Sequence, residues 1–441
     1  MRRTPLSLAV SLLAAGLAAG LAAGSAHADD EELTAWRLFV ADHSDPVVHV
    51  IDAVEGELLE SFDLRGAASL YRSHSGEAVY AVQGSADAVT TIATGIAFHD
   101  HGDHADIEVT APRLTGTEID GDYPVHFVEH HGHWATFFDN EGVARIFRER
   151  DALAGSVELR EVDAGAPHHG VVVPYGDYDL VSEPHPEAPS NLPVGIRVQD
   201  RDGTQVGELA ECPDLHGEAA TGNLMAFACE TGLLIVRSGD GTPSIEHLPY
   251  ADTLPEGKAT TLVGGRGLQY FMGNYLGSNG QSAVVLIDPN EDEAFRQVEL
   301  PTRRVHFAVD PIRARYAYVF TEDGQLHRLD VLAGEISQSL RLTDPYSMDG
   351  HWRDPRPRVT VAGEHVFVTD PLEGKLHRVD AVSFEKVGEV EVAGTPFSIV
   401  AVGGTGVAHD HDQDQDHDHD HDHDHDHDHD HDHDHDHDHS H

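Results

Sequence analysis

One short pattern recurs along this chain and leaves few folds open to it. Val47-Val48-His49-Val50-Ile51-Asp52 runs into Glu55-Gly56, and Gln325-Leu326-His327-Arg328-Leu329-Asp330 runs into Ala333-Gly334. Lys375-Leu376-His377-Arg378-Val379-Asp380 repeats the arrangement. Each segment reads as a strand entering a turn, and each follows another apolar run: Leu38 to Val40, Tyr316 to Phe320, and Val366 to Thr369. Helical periodicity is nearly absent after the N-terminal segment. Runs rich in Val, Ile, Phe and Tyr alternate instead with Gly, Asp-Gly and Pro breaks, the mark of strands and turns. Units of about four strands recur every roughly 40 to 55 residues, which is the period of a β-propeller.

Innermost strands are expected near Ser69, Val125, His168, Leu215, Ala259, Val305, Arg358 and Pro396. The last, Pro396 to Val402, lacks outer strands of its own, and Trp36 to Phe62 lacks an inner one. Joining the two completes a blade and leaves no open sheet edge. The expectation is an all-β chain with a single propeller over residues 29–407. It has about eight blades (seven remain possible), each a four-stranded antiparallel sheet around a central channel. Two β-sandwich domains are the competing arrangement, but they give no reason for a unit split between the two ends.

The flanks read differently. Arg2 and Arg3, the apolar stretch Leu6 to Ala23 and the small-x-small site Ala26-His27-Ala28 form an export signal over residues 1–28. No later segment is long and apolar enough to span a bilayer, so the expected product is soluble, and periplasmic or secreted. An oxidising compartment favours a disulfide between the only two cysteines, Cys212 and Cys229. On the chain-entropy model it stabilises by about 3 kcal/mol. A thiolate metal pair is the alternative, at a spacing unsuited to a close Cys-x-x-Cys site.

Residues 408–441 alternate His and Asp with no apolar residue after Ala408, so this tail is expected to be disordered and to bind metal. A solubilising tail or a purification tag is the plainer reading, although a tag is usually an uninterrupted His run. Formal net charge is −50, and the tail's fifteen aspartates leave about −35 on the rest. Such a surface repels nucleic acid and anionic membranes and favours cations. Adaptation to a saline habitat would give the same surface without a specific partner, but does not account for the tail.

Of the histidines outside the tail, three stand where inner strands begin: His126 in Pro124-Val125-His126-Phe127, His169 in Pro167-His168-His169-Gly170, and His216 in Leu215-His216-Gly217-Glu218. Propeller geometry brings such positions together at one channel mouth. Three imidazoles plus a carboxylate or water make a tetrahedral Zn²⁺ site, with Glu218 and Asp103 as candidate oxygen ligands. A single His at such a place usually packs or caps a turn; three in register on successive units carry more weight. His130, His131 and His133 are lesser candidates, because strand alternation sends them to different faces. His99-Asp100-His101-Gly102-Asp103-His104 reads as a mobile polar loop between a strand ending near Phe98 and one starting near Ile107. It is either a metal relay near the mouth or a solvated loop with incidental histidines.

Pro124-Val125-His126-Phe127-Val128, Asp100-His101-Gly102-Asp103-His104, His168-His169-Gly170-Val171, and Cys212 followed by Leu215-His216-Gly217-Glu218-Ala219-Ala220 together resemble the periplasmic zinc metallochaperones of the AztD type. The resemblance runs from about Trp36 to Val402 and does not include the tail. It implies a propeller that binds Zn²⁺ through His and an acidic residue and passes it to the solute-binding protein of a zinc ABC importer. His126, His169 and His216, with His168 beside them, would be ligands, and His99, His101, Asp103 and His104 the mobile element. Binding needs neutral imidazole and should weaken below about pH 6. Imidazole ligands alone would prefer Cu²⁺, so the choice of zinc comes from the resemblance. Two other classes stay open: a lactonase-like metal-dependent hydrolase with a channel His as base, and a scaffold whose tail buffers metal. The chain has neither a Gly-x-Ser-x-Gly nor a His-Glu-x-x-His motif.

Overall fold

The computed structural model describes residues 32–102, 104–188, 192–238, 241–277 and 282–408. The export signal over 1–28, the tail beyond Ala408 and Asp103 lie outside them. Eight sheets form the ring, so the count is eight and not seven. Inner strands begin at Ser69, Pro124, Val172, Glu218, Gly257, Arg304, Val359 and Pro396, within a few residues of the positions expected from the repeat. We number the blades one to eight in that order.

Blade eight is closed by the two ends of the described chain. Pro396–Ala408 lies innermost and pairs antiparallel with Glu32–Asp42, from Asp42↔Pro396 to Glu32↔Val407. Val47–Asp52 and Leu58–Asp63 complete it. The middle strands are buried along their whole length, as in Ala78–Gln83 and Ala88–Ala93, because each is covered on both faces by neighbouring blades. Between blades three and four, Val173, Leu180 and Val198 pack on Met225, Phe227 and Leu234. Each such side chain contributes about 1.5–3 kcal/mol when fully removed from water. Cys212 and Cys229 are joined within this same layer, both fully buried.

Two irregularities matter for the channel. The inner strand of blade five is broken into Gly257–Lys258 and Leu262–Val263, both paired with Phe271–Gly277. The break is held by Asn274, whose Oδ1 accepts from the backbone N–H groups of Thr260 and Thr261 at 2.8 and 2.7 Å. Blade one carries an excursion between its third and fourth strands: an antiparallel hairpin of Ile96–Asp100 and Ala105–Val109. It pairs in parallel with the end of the closing strand, Asp106 with Val407 and Ile107 with Ala408. Arg37 clamps its base, donating to the carbonyls of Thr94 and Thr110. Among the described residues, no helix is long and apolar enough to cross a membrane.

Candidate metal centre

The three register histidines meet. Ring centroids of His126 and His169 are 4.6 Å apart, those of His169 and His216 are 5.2 Å apart, and those of His126 and His216 are 6.2 Å apart. They come from the start of blade two and from the approaches to blades three and four, at the mouth where inner strands begin.

Each ring is anchored through Nδ1 on an oxygen. His126 Nδ1 lies 2.9 Å from Glu218 Oε1, His169 Nδ1 lies 2.7 Å from Asp139 Oδ2, and His216 Nδ1 lies 2.7 Å from the Thr260 carbonyl. An acceptor at Nδ1 places a proton there and leaves Nε2 to bind, which is how metal-ligating imidazoles are usually oriented. His126 Nε2 and His169 Nε2 are 3.1 Å apart. Burial opposes the charge on His126, but Glu218 in contact and Asp139 further off outweigh it, so His126 holds its proton above the ordinary histidine range. Burial alone would raise Glu218; His126, and then His216 and His169, bring it below the usual carboxylate range. His126 donates from Nδ1 to Glu218 and His169 donates from Nδ1 to Asp139, so the facing Nε2 atoms are the pair that a proton or a metal ion can bridge. Burial pushes His216 down; the Thr260 carbonyl opposes this, and the neighbouring imidazoles add to it. Glu218 Oε2 and Asp139 Oδ1 are buried with no hydrogen-bond partner among the described residues, so two carboxylates with unused acceptor capacity flank the cluster.

Local sequence accounts for the placements of His169 and His216. Gly170 lets the chain turn past its neighbours: a Cβ there would meet His168 Nε2 at 2.4 Å and Phe137 at 2.6 Å. Gly217 adopts φ +96°, and a Cβ would come within 2.7 Å of the Thr260 carbonyl. The 212–229 disulfide and the pair His216 N–H to Ala228 O (3.0 Å) and Ala228 N–H to Gly217 O (2.9 Å) hold the His216 turn against blade four. The connection 342–358 reaches over this mouth. Arg353 donates to the Tyr123 hydroxyl, and His43 Nε2 lies 2.5 Å from the Arg353 carbonyl.

Other candidates stand elsewhere. His168 is 3 % exposed and has both ring nitrogens engaged, Nδ1 with the Ala166 carbonyl and Nε2 with Ser182 Oγ; it faces the core beside Phe137. His99, His101 and His104 lie on the excursion hairpin, at the opposite mouth from the three-histidine cluster. The flanking strands run on to Asp100 and restart at Ala105, so the connection is shorter than the loop expected from sequence. His101 and His104 stack at 5.2 Å and approach opposite oxygens of Asp106 at 3.1 and 3.4 Å. His99 lies 3.7 Å from Glu108. His130 and His131 line a cavity of about 670 Å³ at that far mouth, with His74 and Glu129. Asp139 and Thr260 were not singled out from sequence. Asp139 looks like an ordinary residue of an Asp-Asn-Glu-Gly turn, and Thr260 acts through its backbone.

Among the described residues, no group of three or more His, Cys, Asp or Glu side chains is already set around one point as a metal ion requires. The Nε2 pair is nonetheless close to the spacing of two nitrogens on one Zn²⁺, about 3.3 Å for tetrahedral bonds of 2.0–2.1 Å. The outlying ring is His216, 5.2 Å from His169 and 6.2 Å from His126 between centroids.

No family model matches the chain. It is 56 % identical over 380 residues to the zinc chaperone AztD of Citrobacter koseri, covering 86 % of this chain and 89 % of that protein. A crystal structure of Citrobacter koseri AztD superposes with a TM-score of 0.83 at 56 % identity, covering 86 % of this chain and all of that one. The apo form of the same protein superposes at 0.81 with 55 % identity, covering 85 % and 99 %. A dihydro-haem d1 dehydrogenase, NirN, shares the fold alone, at 14 % identity and a TM-score of 0.53 over 83 % of this chain and 74 % of that one.

Proposed function

The chain belongs to the AztD family of zinc chaperones, and from that premise we propose that it captures Zn²⁺ between His126, His169 and His216 and delivers it to the solute-binding protein of a zinc ABC importer. The observation that carries this reading is the common anchoring of all three rings. Every Nδ1 is engaged by an oxygen, so every Nε2 is offered to one region of the channel mouth. Two buried carboxylates, Glu218 and Asp139, balance a divalent charge there, which matters because an uncompensated buried charge is costly.

Zinc competes with protons for the facing Nε2 atoms of His126 and His169. Once it is bound, Glu218 and Asp139 support neutral, more basic imidazoles. Three protein nitrogens leave a fourth coordination position open. A partner's ligand enters there, and zinc leaves by stepwise exchange without passing free into solution. Glu218 serves His126 first and, through its unused oxygen, can compete for the open position as zinc departs.

The reading also includes export to the periplasm by residues 1–28 and a collecting role for the tail. Thirty-three residues can span up to about 110 Å when extended, so metal bound by the tail raises the local supply near the channel. The hairpin histidines beside Ala408 extend that collecting surface. A channel chemistry of the hydrolase type finds no support, since the relative at 56 % identity is named a zinc chaperone.

Zinc competition against a chromophoric chelator tests the proposal, on the full chain and on a chain ending at Ala408. One tight site should survive tail removal and vanish in H126A/H169A/H216A. Loss of all tight binding with the tail alone would refute the channel site. Transfer is tested by mixing zinc-loaded protein with an apo solute-binding protein in the presence of a chelator that intercepts free zinc.

A further inference from the structure

Across the channel from the three histidines lies a cluster of opposite character. His306 is to blade six what His126 is to blade two. Each is the third residue of its inner strand, Arg304–Val309 and Pro124–His130, each precedes a buried Phe, and each strand has a register shift at that point. In a ring of eight, blades two and six face one another. The same slot of the repeat is therefore used twice, once beside carboxylates and once beside arginines.

The arginines are Arg304 and Arg358, the latter just before the inner strand Val359–Ala362 of blade seven. Among the described residues neither guanidinium has a carboxylate within ion-pair distance, whereas Arg303, Arg313 and Arg315 nearby all do. Arg304 has one long side-chain contact, 3.5 Å to the Val305 carbonyl, and lies over Phe307; Arg358 lies 4.4 Å over Phe397. Arg356 is different, since its guanidinium is spent on the carbonyls of Ser347, Asp349 and His351. His306 Nδ1 accepts from the Val359 N–H at 3.0 Å, so the neutral ring carries its proton on Nε2. The cluster therefore offers only donors.

Burial brings Arg304 down to about 10, and burial with Arg304 and Arg356 brings Arg358 to about 10. Burial, then Arg358 and Arg304, hold His306 well below its ordinary value. Near neutral pH both guanidiniums remain charged and His306 is a neutral donor. The sequence holds 78 acidic residues against 28 Lys and Arg, so counter-charges are abundant, yet none of the described residues supplies one to this pair. Two half-buried like charges side by side are unfavourable unless something supplies a counter-charge.

We propose that Arg304, His306 and Arg358 bind a small oxyanion in the channel, on the wall opposite the histidine cluster. Guanidiniums give paired, charge-assisted hydrogen bonds to planar or tetrahedral oxygens, and the His306 N–H supplies a further neutral donor. The channel then carries a cation wall and an anion wall at one level.

Selenate is a direct probe. Crystals of the full-length, zinc-free protein grown with selenate should show an anomalous selenium peak bridged by the two guanidiniums and His306. In solution, selenate should raise the melting temperature by several degrees over chloride at equal ionic strength, and R304Q/R358Q should abolish that rise. The double variant in chloride should melt no lower than the parent, because it removes uncompensated charge. Absence of the peak at saturating selenate, or an equal rise in the variant, overturns the assignment. Should the double variant fail to fold, R358Q alone and the anomalous map of the parent decide it.

Discussion

Replacing Asp139 with Ala tests how the cluster is organised without touching any of its three rings. Asp139 Oδ2 accepts from His169 Nδ1 at 2.7 Å, and the pair is largely shielded from water. A hydrogen bond to a charged acceptor in such a place contributes about 1.5–3 kcal/mol. At about 1.4 kcal/mol per tenfold, its loss should weaken zinc binding about 10- to 150-fold, in line with the 10–100-fold typical of groups that orient a ligating histidine. D139N should cost less, because the amide oxygen can still accept from Nδ1 while the charge is gone. The assay is chelator competition on the full chain, with the tail present in parent and variant alike, and circular dichroism to show an unchanged fold. Affinity of D139A within twofold of the parent would refute the anchoring argument. A loss beyond about a thousandfold would refute it too, since it would mean that Asp139 binds the metal directly.

Further outcomes follow from the same geometry. C212S/C229S should lower stability by about 3 kcal/mol for the 17-residue separation. That is a fall of about 4 °C in melting temperature for a chain of this size, and zinc affinity should fall with it because the His216 turn is tied to that bridge. H168A should lower stability by about 2 kcal/mol through its two lost hydrogen bonds, and should change zinc affinity far less than H169A does. With His126 raised and Glu218 lowered, zinc binding should start to weaken as pH falls through a value above the ordinary 6.5 of histidine. In the zinc-free protein the His126 contribution is full below about pH 6.5 and lost as pH rises through its raised value. That of Glu218 is full above about pH 4.5 and lost as pH falls through its lowered value. The pair therefore stabilises most between about pH 4.5 and 6.5, an increment that denaturant melts across pH should show and H126Q should remove.

Much of this was legible in the residues themselves. Strand-and-turn spacing determines the propeller, because a four-stranded unit must cover both faces of its middle strands with neighbours, and the split first and last unit dictates closure. The regular spacing also marks His126, His169 and His216 as register positions, since a repeat returns equivalent residues to the channel mouth. The pairing of Cys212 with Cys229 needed only a count. What stayed hidden depends on contacts between residues far apart in the chain. Whether His168 or His169 faces the channel is decided by the close approach of Gly170 to Phe137 and Ser182. The anchors Asp139 and Thr260 belong to a hairpin turn and to a strand broken by Asn274, neither of which has a residue pattern of its own. The hairpin of His99, His101 and His104 resembles a neighbour of the cluster in composition, yet its pairing with Val407 and Ala408 sets it at the other mouth. Periodicity reports which residues share a level of the ring. Which oxygen meets which nitrogen, and whether His126 and His306 in equivalent slots see carboxylates or guanidiniums, is settled only when separate blades pack against one another.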